Sequence, residues 1–223
     1  MSAKVSALLC LSACSADKPV SLPFQSAFDE ATLGSPWESR GGGWRVVEGR
    51  LFNDGARNVP LWLNAELPDD VRVTFTAQSM SPAVDIKFEI FGDGRRHQSG
   101  YVVILSGWNN TKSIIARLDE HGPERDAPTT EHLRSEVQRD ALGALRRYRE
   151  RREIVARAHH GLPKHTYHLR FERQGHELRL FVDERLHLSY FDPAPLGGAG
   201  HNRFAFSNWA SKVYFDDLKI ESL

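Results

Sequence analysis

Past position 14 the chain has no cysteine. Its two, Cys10 and Cys14, both lie near the start of 223 residues, so no disulfide can staple the body of the fold and the hydrophobic core must suffice alone. Net charge is missing too. The 29 Lys and Arg balance 29 Asp and Glu, which argues against a nucleic-acid or anionic-membrane binder driven by bulk charge. No apolar run is long: Val5 to Leu11 is too short to span a bilayer as a helix. Long amphipathic helices are absent among the periodic segments. What remains, 40% hydrophobic and 26% charged, is the composition of a globular chain, and one large all-β domain absorbs this length.

The positive signal is period-two alternation. Val71, Val73, Phe75 and Ala77 alternate with Arg72, Thr74 and Thr76; Val84, Ile86, Phe88 and Ile90 alternate with Asp85, Lys87 and Glu89. The pattern returns in Tyr167, Leu169 and Phe171, in Leu178, Leu180 and Val182, and in Leu186, Leu188 and Tyr190. Short strands punctuated by Gly, Pro and Asp turns predict an antiparallel all-β sandwich of two sheets. In the last strand Val213 and Phe215 have one parity and Leu218 and Ile220 the other, so Asp216 and Asp217 mark an expected β-bulge. Between about 123 and 162 the alternation stops. Residues 131–153 are Arg-rich with helix-favouring composition, and read as a partly helical surface insertion whose arginines form a solvated face.

The chain is organised around Ser99 to Gly122. Tyr101 to Leu105 is apolar on both faces, which places it mid-sheet with cover on either side. Gly107-Trp108-Asn109-Asn110-Thr111 breaks the pattern with turn-tolerant residues, and Ser113 to Leu118 forms the returning strand. Arg117, Asp119, Glu120 and His121 follow. Arg117 and Asp119 share a parity and are expected on one face, with Ile115 as an apolar floor.

At the N-terminus a basic start, an apolar core and Leu11-Ser12-Ala13-Cys14 outline a secretory signal over residues 1–13. Leu-Ser-Ala-Cys resembles the bacterial lipobox. The resemblance implies that Cys14 is lipidated and becomes the mature N-terminus, that residues 14–23 are a tether, and that the protein contacts membrane through the anchor only. Ser15 implies the outer membrane if Gram-negative sorting applies.

Phe28-Asp29, the turns before Leu178 and Leu186, Ser99-Gly-Tyr, Phe181-Val-Asp and the closing Tyr-Phe-Asp-Asp-Leu-Lys-Ile resemble the concanavalin A-like lectin/glucanase superfamily, with its laminin-G-like and 3-keto-disaccharide-hydrolase branches. The likeness spans residues 24–222 apart from the insertion, and implies a jelly roll over 24–223 able to cradle a glycan. It also implies that Asp216 could ligate a structural Ca²⁺ with carbonyls near the first strand; the competing reading is a bulge Asp capping a neighbouring amide. No other cofactor is expected.

Catalytic signals are weak. Asp85 and Glu89 are four residues apart on a strand, roughly 13 Å by strand rise, too far for a glycosidase carboxyl pair, and Lys87 between them is expected to keep both ionised. The bland reading of the three is a polar sheet face. His159-His160 and His165 with His168 read as surface histidines. Sugars stack on exposed indoles and Asn or Asp bonds their hydroxyls, so Trp108 and Asn208-Trp209 carry most weight, the competing reading being that both indoles finish the core at the sandwich ends, while Trp44 and Trp62 belong to the core. The ligand site is therefore expected at Trp108, Asn109, Asn110, Arg117, Asp119 and Glu120, in a non-catalytic domain that binds a glycan or cell-surface polymer. A glycan-cleaving enzyme and a structural envelope protein are the alternatives.

Overall fold

Val71–Ser79 (β6) is buried at every odd position and half-buried at every even one, as its alternation dictates for a strand with one face on the core. It is central to one of two antiparallel sheets in the computed structural model, which describes residues 18–125 and 150–223. That sheet runs β13 (Arg185–Phe191), β12 (Glu177–Val182), β11 (Thr166–Gln174), β6, β15 (Val213–Ser222), β4 (Arg50–Asn53), β3 (Arg45–Val47), with β1 (Phe24–Ser26) also on β15. The second sheet runs β10 (Glu153–Ala158), β9 (Lys112–Arg117), β8 (Tyr101–Ser106), β7 (Ile86–Gly92), β14 (Arg203–Ser207), β5 (Leu61–Leu63), β2 (Trp37–Ser39). The two pack as a jelly-roll sandwich. The leader with Cys14, and nearly all of the Arg-rich stretch, lie outside the described residues.

Inward side chains of both sheets meet in one core. Phe75 sets its edge on Phe88 at 5.2 Å and on Phe206 at 5.3 Å, and Phe206 packs on Phe215 at 4.4 Å. The β8 strand is covered on both faces as expected: Tyr101, Val103 and Leu105 enter this core, while Val102 and Ile104 join Ile114, Ala116 and Ile154 in a second cluster on the outer face. The bulge in β15 is present, with a register shift between Asp216 and Lys219 and Asp217 at φ 50°. Two strands had no sequence signal. Trp37–Ser39 follows Pro36 and is only three residues long, and Glu153–Ala158, assigned to the insertion, is an edge strand whose register pairs Ile154 with Ala116.

Register also decides Arg117. It lies opposite Tyr101, a core-facing residue, so its side chain enters the interior. Arg117 is 1% exposed; its Nε donates to Asp192 Oδ2 at 2.8 Å, Nη1 to the Arg151 carbonyl and Nη2 to the Ala194 carbonyl. Tyr101 Oη donates to the same Asp192 oxygen and accepts from the Leu196 amide. This buried pair closes the end of the sandwich away from Trp108. Asp192→Ala would leave a guanidinium buried without its counter-charge, and is expected to cost about 3–5 kcal/mol in urea unfolding.

Candidate functional site

Strand register lines up the outer face of the second sheet in rows. Ser207, Lys87, Ile104, Ile114 and Ala156 form one row; Ala205, Glu89, Val102, Ala116 and Ile154 form the next. Lys87 and Glu89 therefore stand among apolar neighbours, and they are 2% and 0% exposed. A charge so placed needs a partner.

The partner comes from the segment after β9. Leu118 takes a left-handed backbone, φ 61°, which ends the strand's alternation and folds the chain back over the outer face. Glu120 thereby reaches Lys87, Oε2 to Nζ at 2.8 Å. Asn58 completes a triangle, accepting from Lys87 Nζ at 2.9 Å and donating to Glu120 Oε1 at 3.2 Å. His97 bridges the two carboxylates, with Nδ1 2.6 Å from Glu89 Oε1 and Nε2 3.6 Å from Glu120 Oε1. The Gln98 backbone amide donates to Glu89 Oε2, and the Glu120 backbone amide donates to Gln98 Oε1.

The electrostatics follow from this network. Burial pushes the Glu120 carboxyl up, but hydrogen bonds and charge from His97 and Lys87 outweigh it and hold the group at about 2. Burial pushes the His97 imidazole down, and Glu120 and Glu89 outweigh that to raise it above its ordinary value. Asp85 goes the other way. Burial dominates, Lys87 opposes it weakly because it is committed to Glu120, and the carboxyl rises to about 6. A group near 6 remains largely a carboxylate at neutral pH.

Above this floor lies a cleft of ≈720 Å³. Its walls are four connections from one end of the sandwich: Asn58 after β4, Ser81 to Asp85 before β7, Trp108 and Asn109 at the β8–β9 turn, and Trp209 to Ser211 before β15. Glu120 and His121 close the remaining side. The turn Gly107–Asn110 is left-handed, with Trp108 at φ 49°, ψ 56° and Asn109 at φ 56°, ψ 45°. Asn58, Asp85 and Ala210 also have positive φ. Such backbone costs of order 1–3 kcal/mol per residue and persists where its surroundings over-determine it. They do. Asn110 Oδ1 accepts from the Val84 amide and Nδ2 donates to the Pro82 carbonyl, while Asn208 Nδ2 donates to Asn53 Oδ1 and the Ser211 carbonyl.

Two indoles stand open in this frame, Trp108 at 37% and Trp209 at 50% exposure. Cations lie over their rings, Lys112 Nζ 4.8 Å from Trp108 and Arg57 Cζ 5.9 Å from Trp209, and His121 meets Trp108 edge-on at 6.1 Å.

Of the six residues expected at a ligand, Trp108, Asn109 and Glu120 line the cleft. Asn110 is 8% exposed and spends its amide on the neighbouring loop. Arg117 is inside the sandwich. Asp119 does not share its face, because Leu118 breaks the parity; its carboxylate accepts from the His121 amide and lies 3.6 Å from Arg152. Sequence reasoning left out Asn58, Asp85 and Lys87. The alternation through Asp85, Lys87 and Glu89 had marked a polar face, yet nothing in the spacing tied it to Glu120 or Asn58. Trp44 donates Nε1 to the Val59 carbonyl, and Trp62 is 4% exposed, though on the outer face.

Asp216 Oδ1 accepts from the Asp217 amide at 2.8 Å, the capping role, and no group of three metal-ligating side chains converges among the described residues. His159 is half-buried against Ser106, Nδ1 to Oγ 2.6 Å, while His165 is exposed beside Asp183.

The sequence matches no protein-family model and no curated protein. The fold is similar to carbohydrate-binding module CBM66 from Bacillus subtilis, with TM-score 0.57 and 11% identity over 92% of this chain and 99% of that one. It is also similar to the carbohydrate recognition domain of Emp47p, TM-score 0.56 and 13% identity over 88% and 93%. Domain 4 of AbnA, a GH43 arabinanase from Geobacillus stearothermophilus, shares the fold at TM-score 0.50 and 11% identity over 89% and 90%.

His97 gives the network a signed pH dependence. Its folded pKa lies above the unfolded value, so its contribution is complete below about 6.5 and lost as pH rises through the folded value. Melting temperature is expected to fall on the alkaline side of neutrality, and His97→Ala to lower it at pH 6 and flatten that slope. An unchanged slope in the variant would remove His97 from the network's balance.

Proposed function

We propose that this is a non-catalytic carbohydrate-binding domain whose ligand lies in the cleft between Trp108 and Trp209. The observation that carries this is the pairing of two open indoles with polar groups held in advance on a rigid frame. Sugars present apolar C–H faces to indole rings and hydroxyls to amides and carboxylates. A cleft of ≈720 Å³ falls within the usual range for small-ligand sites. Similarity of fold to CBM66 and to the Emp47p carbohydrate recognition domain supports the reading, although fold alone does not assign function.

One observation favours a cleaving enzyme instead. Asp85 near 6 and Glu120 near 2 line the same cleft, and carboxyls driven apart in this way mark acid–base pairs. Glu120, however, is 4% exposed and bonded to Lys87 and Asn58. Those bonds engage both of its oxygens and leave it a poor nucleophile or base. Binding without cleavage is the reading the geometry supports.

Affinity electrophoresis against neutral polysaccharides tests it. Trp108→Ala and Trp209→Ala are each expected to weaken retention roughly two- to tenfold, by loss of stacking worth on the order of 0.5–1.5 kcal/mol, with melting temperature nearly unchanged. Product analysis after incubation with the bound glycan should show no new reducing ends. Variants that lose stability but keep the parent's retention would return both indoles to the scaffold.

The leader reading completes the proposal: the domain is exported and tethered to the envelope, in Gram-negative sorting to the outer membrane, through lipid on Cys14. Cys14→Ser is expected to move the protein from the membrane fraction to the soluble one; unaltered partitioning would rule out the anchor.

A further inference from the structure

The charged groups of the cleft are unequal in their commitments. Lys87 is answered by Glu120 and Asn58, and Glu120 by Lys87, Asn58 and His97. Asp85 is different: among the described residues its carboxyl makes no hydrogen bond and no ion pair. Its position is nonetheless fixed. The Asp85 amide donates to the Ser106 carbonyl at 3.1 Å, the backbone is held at φ 39°, and Oδ1 lies against Gly107. A Cβ there would stand 3.5 Å from that oxygen and would strike Ile104 Cγ2 at 2.9 Å. The carboxyl is thus an unspent acceptor carried on a fixed backbone, on the wall of a cleft that has Trp108 on the next connection.

We propose that Asp85 is the specificity-determining contact of the cleft, its carboxylate accepting from adjacent hydroxyls of an uncharged sugar residue, so that the site takes neutral glycans and rejects uronate, sialate and phosphorylated ones. This rests on the carbohydrate reading above and names the ligand class within it. Two oxygens on one carbon accept from two neighbouring donors, and such charge-assisted bonds are the strong ones. An anionic sugar brings acceptors and like charge to the same place. The cleft does not compensate with a free cation on its floor, because Lys87 is 2% exposed and bonded to Glu120; Lys112 and Arg57 lie over the indoles at the rim.

The titratable groups facing Asp85 are few. Lys87 on its own strand favours the carboxylate, Glu120 from the returning segment disfavours it, and burial is the largest influence, leaving the group near 6. His121 is the remaining titratable residue lining the cleft, and its side chain is 69% exposed. The carboxylate is the binding form, so affinity falls as pH drops through that value.

The experiment is isothermal titration of the parent and of Asp85→Asn with neutral gluco-, manno-, arabino- and fructo-oligosaccharides and with oligogalacturonate and sialyllactose, at about pH 5 and about pH 8. The parent is expected to bind from the neutral set only, roughly tenfold or more weakly at the lower pH, and Asp85→Asn to lose roughly ten- to hundredfold at the higher pH, as for a lost bond to a charged group, with a flat profile. A parent that prefers the acidic sugars, or a variant that binds as the parent does with the same pH slope, overturns the assignment and leaves the carbohydrate reading standing. A parent that binds neither set overturns both. Should the variant fail to fold, the parent's own neutral-to-acidic preference and pH slope decide.

Discussion

A lysine on a sheet face whose neighbours are Ile104 and Ser207 has to be answered, and the way Lys87 is answered shapes the rest of the molecule's outer face. Its ammonium is 3% exposed and 2.8 Å from Glu120. At such burial the interaction is not a surface ion pair of marginal worth; removing either member would strand a charge in a poorly solvated place. The pair therefore holds the segment after β9 across the sheet. That segment brings His121 against Trp108 and supplies the cleft's closing wall. His97 extends the same logic one step, placing a proton between Glu89 and Glu120, so the 93–99 loop is tied to the returning segment by charge balance.

The second constraint is backbone conformation. Five residues of the cleft, Asn58, Asp85, Trp108, Asn109 and Ala210, have positive φ, and only the two asparagines and Asp85 are of a type that tolerates it. A tryptophan held left-handed is costly. It is maintained because Asn110 is tied to Val84 and Pro82, and because Asn53, Asn208 and Ser211 lock the opposite rim. Side chains that look like ligand contacts by type, Asn110 above all, are the ones that make the strained turn possible. The open residues are their neighbours.

This explains what could be read from the sequence. Alternation is a local property, so β6, β7 and β11 to β13 were legible, and so was the bulge at Asp216 and Asp217, where two parities collide within one strand. The Trp108 hairpin was legible as a strand break, because Gly107, Trp108 and the two asparagines interrupt the alternation, and Trp108 stays open there. Arg117 and Asp119 were misplaced by the same reasoning that worked elsewhere. Arg117 keeps its parity with Ile115, but that face is the core; Asp119 loses it, because parity holds only while the strand lasts and Leu118, an apolar residue with no sequence signal for φ 61°, ends it. Trp37–Ser39 was hidden by its brevity. Glu153–Ala158 was hidden because a strand needs a partner edge, and the edge of β9 is visible only in three dimensions. Asp85, Lys87 and Glu120 carried no shared spacing, being joined by the fold across 33 residues from Lys87 to Glu120.

Two buried ion pairs with opposite consequences remain to be set side by side. Arg117 and Asp192 lie between the sheets, where each guanidinium nitrogen donates to a carbonyl or carboxylate and the loop 193–196 is pinned over them. Lys87 and Glu120 lie outside the sheets, where the same chemistry forms a floor beneath open space. Burying a charge pair gives little net stability in either place, so its value lies in fixing geometry. Inside, that closes one end of the sandwich. Outside, it leaves a cleft whose floor groups, Lys87, Glu120 and Asn58, are bonded to one another in advance, so little ordering of the floor would be left to oppose a ligand. Asp85, unbonded beside a floor already satisfied, is then the group on which a ligand's own donors would register.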